Sequence, residues 1–207
     1  MVFLEAELMP RYRDWLQQLY AFAQQPDLGC VGGGLCSPFQ TFYHCGYAVS
    51  VPGGAVSYHA GVNAHNRPYR SSYLNNREVS AVSSCCLAIR KELFLQLGGF
   101  PHWESDLASV ALGLSAIEKG FTNLYGSRAT MTVPTWHRPH CLRKAAPLSD
   151  LKRLEERFPT ASLERWYSPL FEKDHGWLLP DCETAAPDMD DILAASALIH
   201  KEAPPCR

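Results

Sequence analysis

The stretch from Val79 to Phe121 constrains the fold of this 207-residue chain more than any other part. Its first section, Val79 to Ile89, is mostly apolar and predicts a strand. The residues RKELFLQL then form a short helical pattern, which the pair Gly98-Gly99 is expected to end. A second helical pattern runs to Lys119-Gly120, and Asn123 to Val133 predicts another strand. The stretch therefore predicts an α/β fold.

Further strands and a helix precede this stretch. Phe3-Leu4 predicts a short strand ending at Glu5-Ala6-Glu7. Gly29 to Leu35 and Phe42 to Val49 predict two more, while His59 to Asn76 lacks periodicity and predicts a long substrate-covering loop. The helix is expected to open at Pro10, with these apolar residues at helical spacing: Trp15, Leu16, Leu19, Tyr20 and Phe22.

The character of the chain changes after Pro134. The segment LSDLKRLEERF predicts a charged helix, Pro180 to Pro187 a linker, and Asp188 to Glu202 a short terminal helix. We therefore divide the chain into a domain over residues 1–145 and a helical C-terminal extension over residues 146–207.

Composition excludes several classes of function. The net charge is −2 and the cations are scattered, so no nucleic-acid partner is expected. No uncharged apolar stretch approaches the roughly 20 residues that span a bilayer, and the N-terminus lacks a cleavable signal pattern. The expected location is the cytoplasm. The eight cysteines include no C-x-x-C pair, which favours buried reduced thiols over a metal site or a disulfide framework.

Two acids, Glu5 and Glu7, stand at i and i+2 where the first strand ends. If the backbone bends there, both carboxylates turn into one cleft and offer the oxygen ligands that Mg²⁺ or Mn²⁺ prefers. Such an ion can bridge a diphosphate. The alternative is a solvated acidic turn with no ligand.

These motifs together resemble the second half of the catalytic domain of family 2 glycosyltransferases. The resemblance covers residues 2 to 140 and implies a partial GT-A (Rossmann-related) fold, a mixed sheet flanked by helices. Glu5-Ala6-Glu7 is similar to the family's D-x-D metal motif, with glutamate at both aspartate positions. Further matching residues are Phe3, Leu4, Pro10, Trp15, Leu16, Ala81, Val82, Cys86, Leu87, Arg90, Gly98, Gly99, Phe100, Gly120 and Phe121.

The family's general base is missing from its usual place. Counting back from Gly120, the expected acids fall on Ala108, Ser109 and Ala111, none of which is an effective base. Asp106 and Glu104 are the nearest acids and become the candidate catalytic residues. Asp106 is equally placed to cap the helix that follows it.

The resemblance implies three further site residues. His44 lies in a strand that matches the family's G-x-V-G…H-A-G pair and could bind a sugar hydroxyl of donor or acceptor; the alternative is a satisfied structural histidine. His137 could complete the metal shell with Glu5 and Glu7, although a direct count places Val133 at that position. Arg138 could neutralise phosphates, or belong to a solvated basic loop.

We therefore predict a metal-dependent, inverting glycosyltransferase that uses a nucleotide-sugar donor and a glycan or surface-polymer acceptor. The alternative is a catalytically inactive relative that acts as a binding or scaffolding module. The base-binding first half of the fold is not visible in the sequence. A sheet without those strands would expose an apolar edge, so a missing N-terminal half or a partner chain is expected to complete it.

Overall fold

The structure of the chain, a computed structural model, describes residues 1–50, 54–64, 73–143 and 146–159. The strands in these residues are β1 (Val2–Leu4), β2 (Met9–Pro10), β3 (Leu28–Cys36), β4 (Phe42–His44), β5 (Tyr47–Ser50), β6 (Gly54–Ser57), β7 (Arg77–Val79), β8 (Cys86–Ala88) and β9 (Thr122–Thr132). The helices are α1 (Trp15–Ala23), α2 (Lys91–Gln96), α3 (Leu107–Glu118), α4 (His140–Arg143) and α5 (Leu148–Arg157).

The main sheet is mixed and has the strand order β1-β8-β3-β9-β2. Strands β3 and β9 pair in parallel at its centre, whereas β1 pairs with β8, and β8 with β3, in antiparallel fashion. Strand β4 joins β3 and strand β7 joins β9 off this path, and β5 and β6 form a separate hairpin. The predicted α/β fold with a mixed sheet is confirmed.

Helices cover both faces of the sheet because neighbouring residues of the central strands point to opposite sides. On one face, Leu19 of α1 packs with Val31, Leu35 and Met131. On the other, Leu93 of α2 and Leu112 of α3 pack with Leu87 and Tyr125.

The helix that opens the predicted C-terminal extension packs against the main body. Leu154 and Phe158 are buried with Val110 and Leu114 of α3 in one apolar cluster. The predicted linker and terminal helix after residue 159 lie outside the described residues. None of the helices described is long and apolar enough to cross a membrane.

One segment predicted as a single strand forms two separate strands in the structure. Val79 to Ile89 is not a single strand: β7 ends at Val79 and pairs with β9, and β8 begins at Cys86 and pairs with β1 and β3. The intervening residues 80–85 form a loop instead. The sequence contains three serines in that interval, whose hydroxyls compete with a strand's backbone hydrogen bonds.

Two other element boundaries also differ from prediction. Phe42 to Val49 is divided between β4 and β5 by Gly46, whose φ of 97° is a left-handed conformation that breaks a strand. The first helix begins at Trp15 rather than Pro10, since Met9 and Pro10 pair with β9.

Strand β1 lies at one end of the strand order, and its apolar side chains are partly uncovered. Val2 and Leu4 are 44% and 43% exposed. This is the edge at which the prediction of additional strands from a missing half or a partner applies. That prediction stays open.

Candidate active site

The loop between β7 and β8 contacts two of the predicted functional acids, Asp106 and Glu5. Ser84 donates from its backbone N (3.2 Å) and its Oγ (2.5 Å) to Oδ1 of Asp106. The next residue, Cys85, donates from Sγ to Oε2 of Glu5 at 2.9 Å and accepts from the Glu5 backbone N at 3.0 Å. Two adjacent residues therefore hold the predicted base and the predicted metal ligand in one region.

Asp106 is held by the surrounding loops rather than by its own helix. It occupies the position before α3, but its side chain makes no capping hydrogen bond. Its Oδ2 instead accepts a 2.6 Å hydrogen bond from the Tyr47 hydroxyl, and the residue is 8% exposed. Burial, together with the Asp106 carboxylate, raises the pKa of Tyr47 well above its ordinary value, so Tyr47 remains a donor. The geometry therefore does not support the alternative in which the Asp106 side chain caps α3.

Glu5 is the centre of a second group of contacts, formed with the segment before and within α4. Both of its carboxylate oxygens accept from the backbone N of His140, at 2.9 and 2.8 Å. His137 contacts both predicted acids, with Nε2 3.2 Å from Glu5 Oε1 and Nδ1 3.3 Å from Glu7 Oε2. The structure therefore brings together the three residues that the sequence proposes as metal ligands.

Glu7 adopts an unusual backbone conformation at this place. Its φ is 71°, in the left-handed region that residues other than glycine rarely occupy. Such conformations cost on the order of 1–3 kcal/mol and are found preferentially at functional sites. The bend after β1 that the sequence analysis requires is present, and it turns Glu7 toward His137.

The contacts of His137 decide how a divalent ion would fit. Its Nε2 is buried and has no hydrogen-bond partner in the described part of the chain, although Glu5 Oε1 lies 3.2 Å away. Adjacent ligands on metal bonds of ~2.1 Å lie about 3.0 Å apart in octahedral geometry, which this pair approaches. Glu7 contacts the opposite ring nitrogen, so it orients the imidazole rather than sharing the same ion.

The described residues contain no group of three or more His, Cys, Asp or Glu side chains arranged to hold a metal ion. Glu5 and His137 would supply two ligands to an ion, and the third predicted ligand, Glu7, contacts the other nitrogen of the ring. Magnesium commonly has few protein ligands and completes its shell with water and substrate phosphates. Glu5 and His137 fit such an open metal site. The same contacts also fit a metal-free arrangement in which His137 is held between the carboxylates of Glu5 and Glu7.

The Cys141 thiol of α4 lies near Cys85 and Asp106. A hydrogen bond with Cys85 and burial raise the pKa of its thiol well above the ordinary value, and the nearby charge of Asp106 acts in the same direction. Because its thiol stays protonated, Cys141 is a neutral neighbour for Asp106.

The remaining predicted site residues are placed differently. Glu104 is exposed, and its backbone N, not its carboxylate, is hydrogen-bonded to Asp150 at 3.1 Å. Arg138 is exposed and donates from Nε to the carbonyl of Leu142 at 3.0 Å, close to His137 in the chain. Both side chains are near the site in sequence and open to solvent.

His44 is enclosed in the protein. It is 0% exposed, its Nδ1 lies 3.1 Å from Ser57 Oγ, and its Nε2 accepts from the backbone N of Gly46 at 3.1 Å. Burial, with the nearby Arg77 guanidinium, lowers its pKa to about 3. This geometry supports the structural alternative for His44 and not contact with a sugar.

Four residues of the site were missed by sequence reasoning: Tyr47, Ser84, Cys85 and Asp150. Ser84 had a usable signal, since a run of serines interrupts an otherwise apolar segment. Tyr47 and Asp150 had none, because each reaches the site from a strand or helix that is distant in the sequence.

The chain shares sequence with short parts of two longer proteins. No protein-family model matches the chain. It is 31% identical over 114 residues to the uncharacterized protein y4gI of Sinorhizobium fredii, an overlap of 54% of this chain and 12% of that protein. It is 29% identical over 138 residues to the O-antigen biosynthesis protein RfbC of Myxococcus xanthus, covering 65% of this chain and 10% of that protein. The chain thus spans about a tenth of the length of these relatives.

Proposed function

We propose that the chain is part of the catalytic domain of a family 2 glycosyltransferase that acts in polysaccharide biosynthesis. It would transfer a sugar from a nucleotide-sugar donor to a glycan or surface-polymer acceptor. The observation that carries the proposal is the pair Ser84-Cys85, which binds Asp106 and Glu5 at the same loop. The similarity to an O-antigen biosynthesis protein supports the same class of activity.

The chemistry requires one base at the acceptor. The acceptor oxygen forms a bond to the anomeric carbon from one face while the bond to the donor diphosphate breaks on the other, so the configuration inverts. The acceptor proton passes to Asp106, whose Oδ1 is reached through Ser84 Oγ. Tyr47 and Ser84 hold the carboxylate in place for this step.

Glu5 and His137 Nε2 are the residues that would hold Mn²⁺ or Mg²⁺, with Glu7 fixing the imidazole through Nδ1. A bound ion supplies positive charge that stabilises the leaving diphosphate. Arg138, which is exposed and follows His137 in the chain, would add positive charge for the same phosphates. We further propose that strands from an N-terminal half or a partner chain bind the nucleotide base, next to the edge at β1.

Thermal melting of the 207-residue chain tests the donor site directly. The chain is melted alone, with Mn²⁺, and with Mn²⁺ plus UDP-, GDP- or dTDP-sugars. We expect one nucleotide class to raise the melting temperature only when metal is present. Glu5→Gln should abolish that rise, whereas the matched control Glu118→Gln, on the exposed end of α3, should retain it. A cooperative melt that no donor or metal moves would overturn the proposed donor site.

A binding module without catalysis is the second candidate. It is favoured by the helix α3, where Ala108, Ser109 and Ala111 occupy the positions of the family's acids and the last two are buried. Asp106→Asn separates the candidates, because it retains the shape of the side chain and removes the base. An enzyme should bind donor normally and lose transfer; a binding module should show no transfer with either side chain.

A further inference from the structure

Asp150 of α5 has contacts that the proposed chemistry does not use. Its side chain is 0% exposed, and its Oδ2 accepts from three donors on the loop before α3. These are the backbone N of Glu104 (3.1 Å), the backbone N of Ser105 (3.0 Å) and Ser105 Oγ (2.8 Å). A carboxylate on one helix therefore binds the loop that leads into another.

Burying the Asp150 carboxylate costs free energy unless the group is paired with a cation or hydrogen-bonded. The only described cation close to it is Arg153, whose NH1 lies 3.6 Å from Oδ1 and whose side chain is 54% exposed. Oδ1 itself has no hydrogen-bond partner in the described residues. The main interactions of the Asp150 side chain are therefore the hydrogen bonds that it accepts from Glu104 and Ser105.

Helix α5 is fixed firmly enough to act as a support for this loop. Leu154 is fully buried against α3, and Arg157 donates to Ser115 Oγ of that helix at 3.3 Å. Asp150 precedes Leu154 by about one helical turn, so both lie on the face of α5 that meets α3. The position of its carboxylate is therefore set by core packing.

The supported loop ends at the candidate base. Asp106 follows Ser105 directly, and its carboxylate must point at Tyr47 and Ser84 to make its observed hydrogen bonds. Two consecutive backbone amides pinned at residues 104 and 105 leave little freedom in the direction of the next side chain.

We propose that Asp150 is the positioning residue for Asp106. Helix α5, which carries Asp150, would then be required for catalysis. The assignment rests on the proposed function for its catalytic meaning. Its geometric part, that Asp150 controls the placement of the Asp106 carboxylate, can be tested without any turnover.

Amide hydrogen exchange of the full chain provides that test, with the Ser84 amide as reporter because it donates to Asp106 Oδ1. Asp150→Ala should speed exchange at Glu104, Ser105 and also Ser84, each by about tenfold or more relative to Cys30. The Cys30 amide donates to Asn123 and reports on global stability. Asp150→Asn retains an oxygen acceptor and should restore most of the protection. The exposed control Lys152→Ala, on the same helix, should leave all three amides unchanged.

Faster exchange at residues 104 and 105 with normal protection at Ser84 would overturn the proposal, since Asp150 would then stabilise only its own contacts. If Asp150→Ala does not fold, Ser105→Ala removes the shortest of the three hydrogen bonds and gives the same comparison. In a chain that transfers sugar, Asp150→Ala should lower kcat with little change in the KM for donor. Absence of transfer in the unmodified chain would count against the proposed function alone, because the exchange result stands independently.

Discussion

The backbone of Gly33 lies directly against the carbonyl oxygen of Ala129: a Cβ on Gly33 would come within 1.9 Å of it. The register between β3 and β9 shifts at this place, between Gly33 and Leu35, so that extra residues of β9 bulge over β3. Gly33, the middle residue of the run Gly32-Gly33-Gly34, therefore permits a close approach of two strands.

Gly33→Ala should consequently destabilise the fold severely. The obstructing atom is backbone, which cannot rotate away, so we expect a loss of about 3 kcal/mol or failure to fold. Gly126 is the matched control because it pairs with Gly33, yet a Cβ there meets nothing closer than 3.7 Å. Urea unfolding of both variants checks this. Equal stabilities for Gly33→Ala and Gly126→Ala would show that the β9 bulge is not as described.

The elements that were predicted correctly are those whose signal is local. Gly98 and Gly99 both have positive φ, 84° and 74°, and end α2 as predicted. Strand β9 lies within one residue of its predicted bounds. In the interval 80–85 the serines indicate a break in the strand, but the conformation of the loop depends on Asp106 and Glu5, which bind it from elsewhere in the chain. Local propensity carries no information about such partners.

Stability should fall as the pH drops below neutrality, because two histidines are buried in their neutral form. Burial, with a contribution from Arg77, lowers the pKa of both His44 and His59 from 6.5 to about 3. The unfolded chain therefore binds more protons than the folded chain between these values. The stabilisation is complete above about pH 6.5 and is lost as the pH falls toward about 3.

Each histidine contributes a slope of up to about 1.4 kcal/mol per pH unit in that window. The measurement is urea unfolding at several pH values from 7.5 to 5, above the range where ordinary carboxylates titrate. His44→Gln removes one of these two titrating groups and should therefore reduce the slope of unfolding free energy against pH by up to about 1.4 kcal/mol per pH unit. This change in slope is expected whatever the effect of the substitution on stability at pH 7.5. A stability that does not change between pH 7.5 and 5 would contradict the placement of both side chains.

Metal binding should depend on His137 and not on its neighbour His140. His137 offers Nε2 beside Glu5, whereas the contact that His140 makes with Glu5 uses its backbone N, which survives replacement by alanine. We expect His137→Ala to abolish the Mn²⁺-dependent rise in melting temperature and His140→Ala to preserve it. Glu7→Gln should weaken Mn²⁺ affinity by about 10- to 100-fold, the usual effect of losing a residue that orients a ligand.

Titration of Mn²⁺ against each variant, followed by melting temperature, makes the comparison. An equal loss in His137→Ala and His140→Ala would indicate general disturbance of the loop. Undiminished binding in His137→Ala would leave His137 as part of an ion-paired cluster with Glu5 and Glu7, and would remove the metal from the proposal.

The candidate site shows why motif spacing alone was insufficient. Glu5, Glu7 and His137 were proposed from resemblance and do converge, even though His137 stands several residues from the position that a direct count gives. The acid pair expected near Ala108 is absent, and Asp106 is turned away from its helix by Tyr47 and Ser84. Residues that aim a side chain come from several loops, and a linear motif does not contain them.

Ser84 provides the last test, because it is the partly exposed group next to the buried Asp106 carboxylate. If the acceptor proton reaches Asp106 through this hydroxyl, Ser84→Ala should lower kcat by about 100-fold, in the range of other general-base losses, with little change in KM. The backbone N of Ser84 still donates to Asp106, so we expect stability to fall by only about 1 kcal/mol.

Ser84→Thr retains the hydroxyl and should recover most of the activity, while Ser149→Ala on the exposed face of α5 serves as a control. Unchanged kcat in Ser84→Ala would mean that Asp106 takes the proton directly, with the serine acting only to hold the carboxylate.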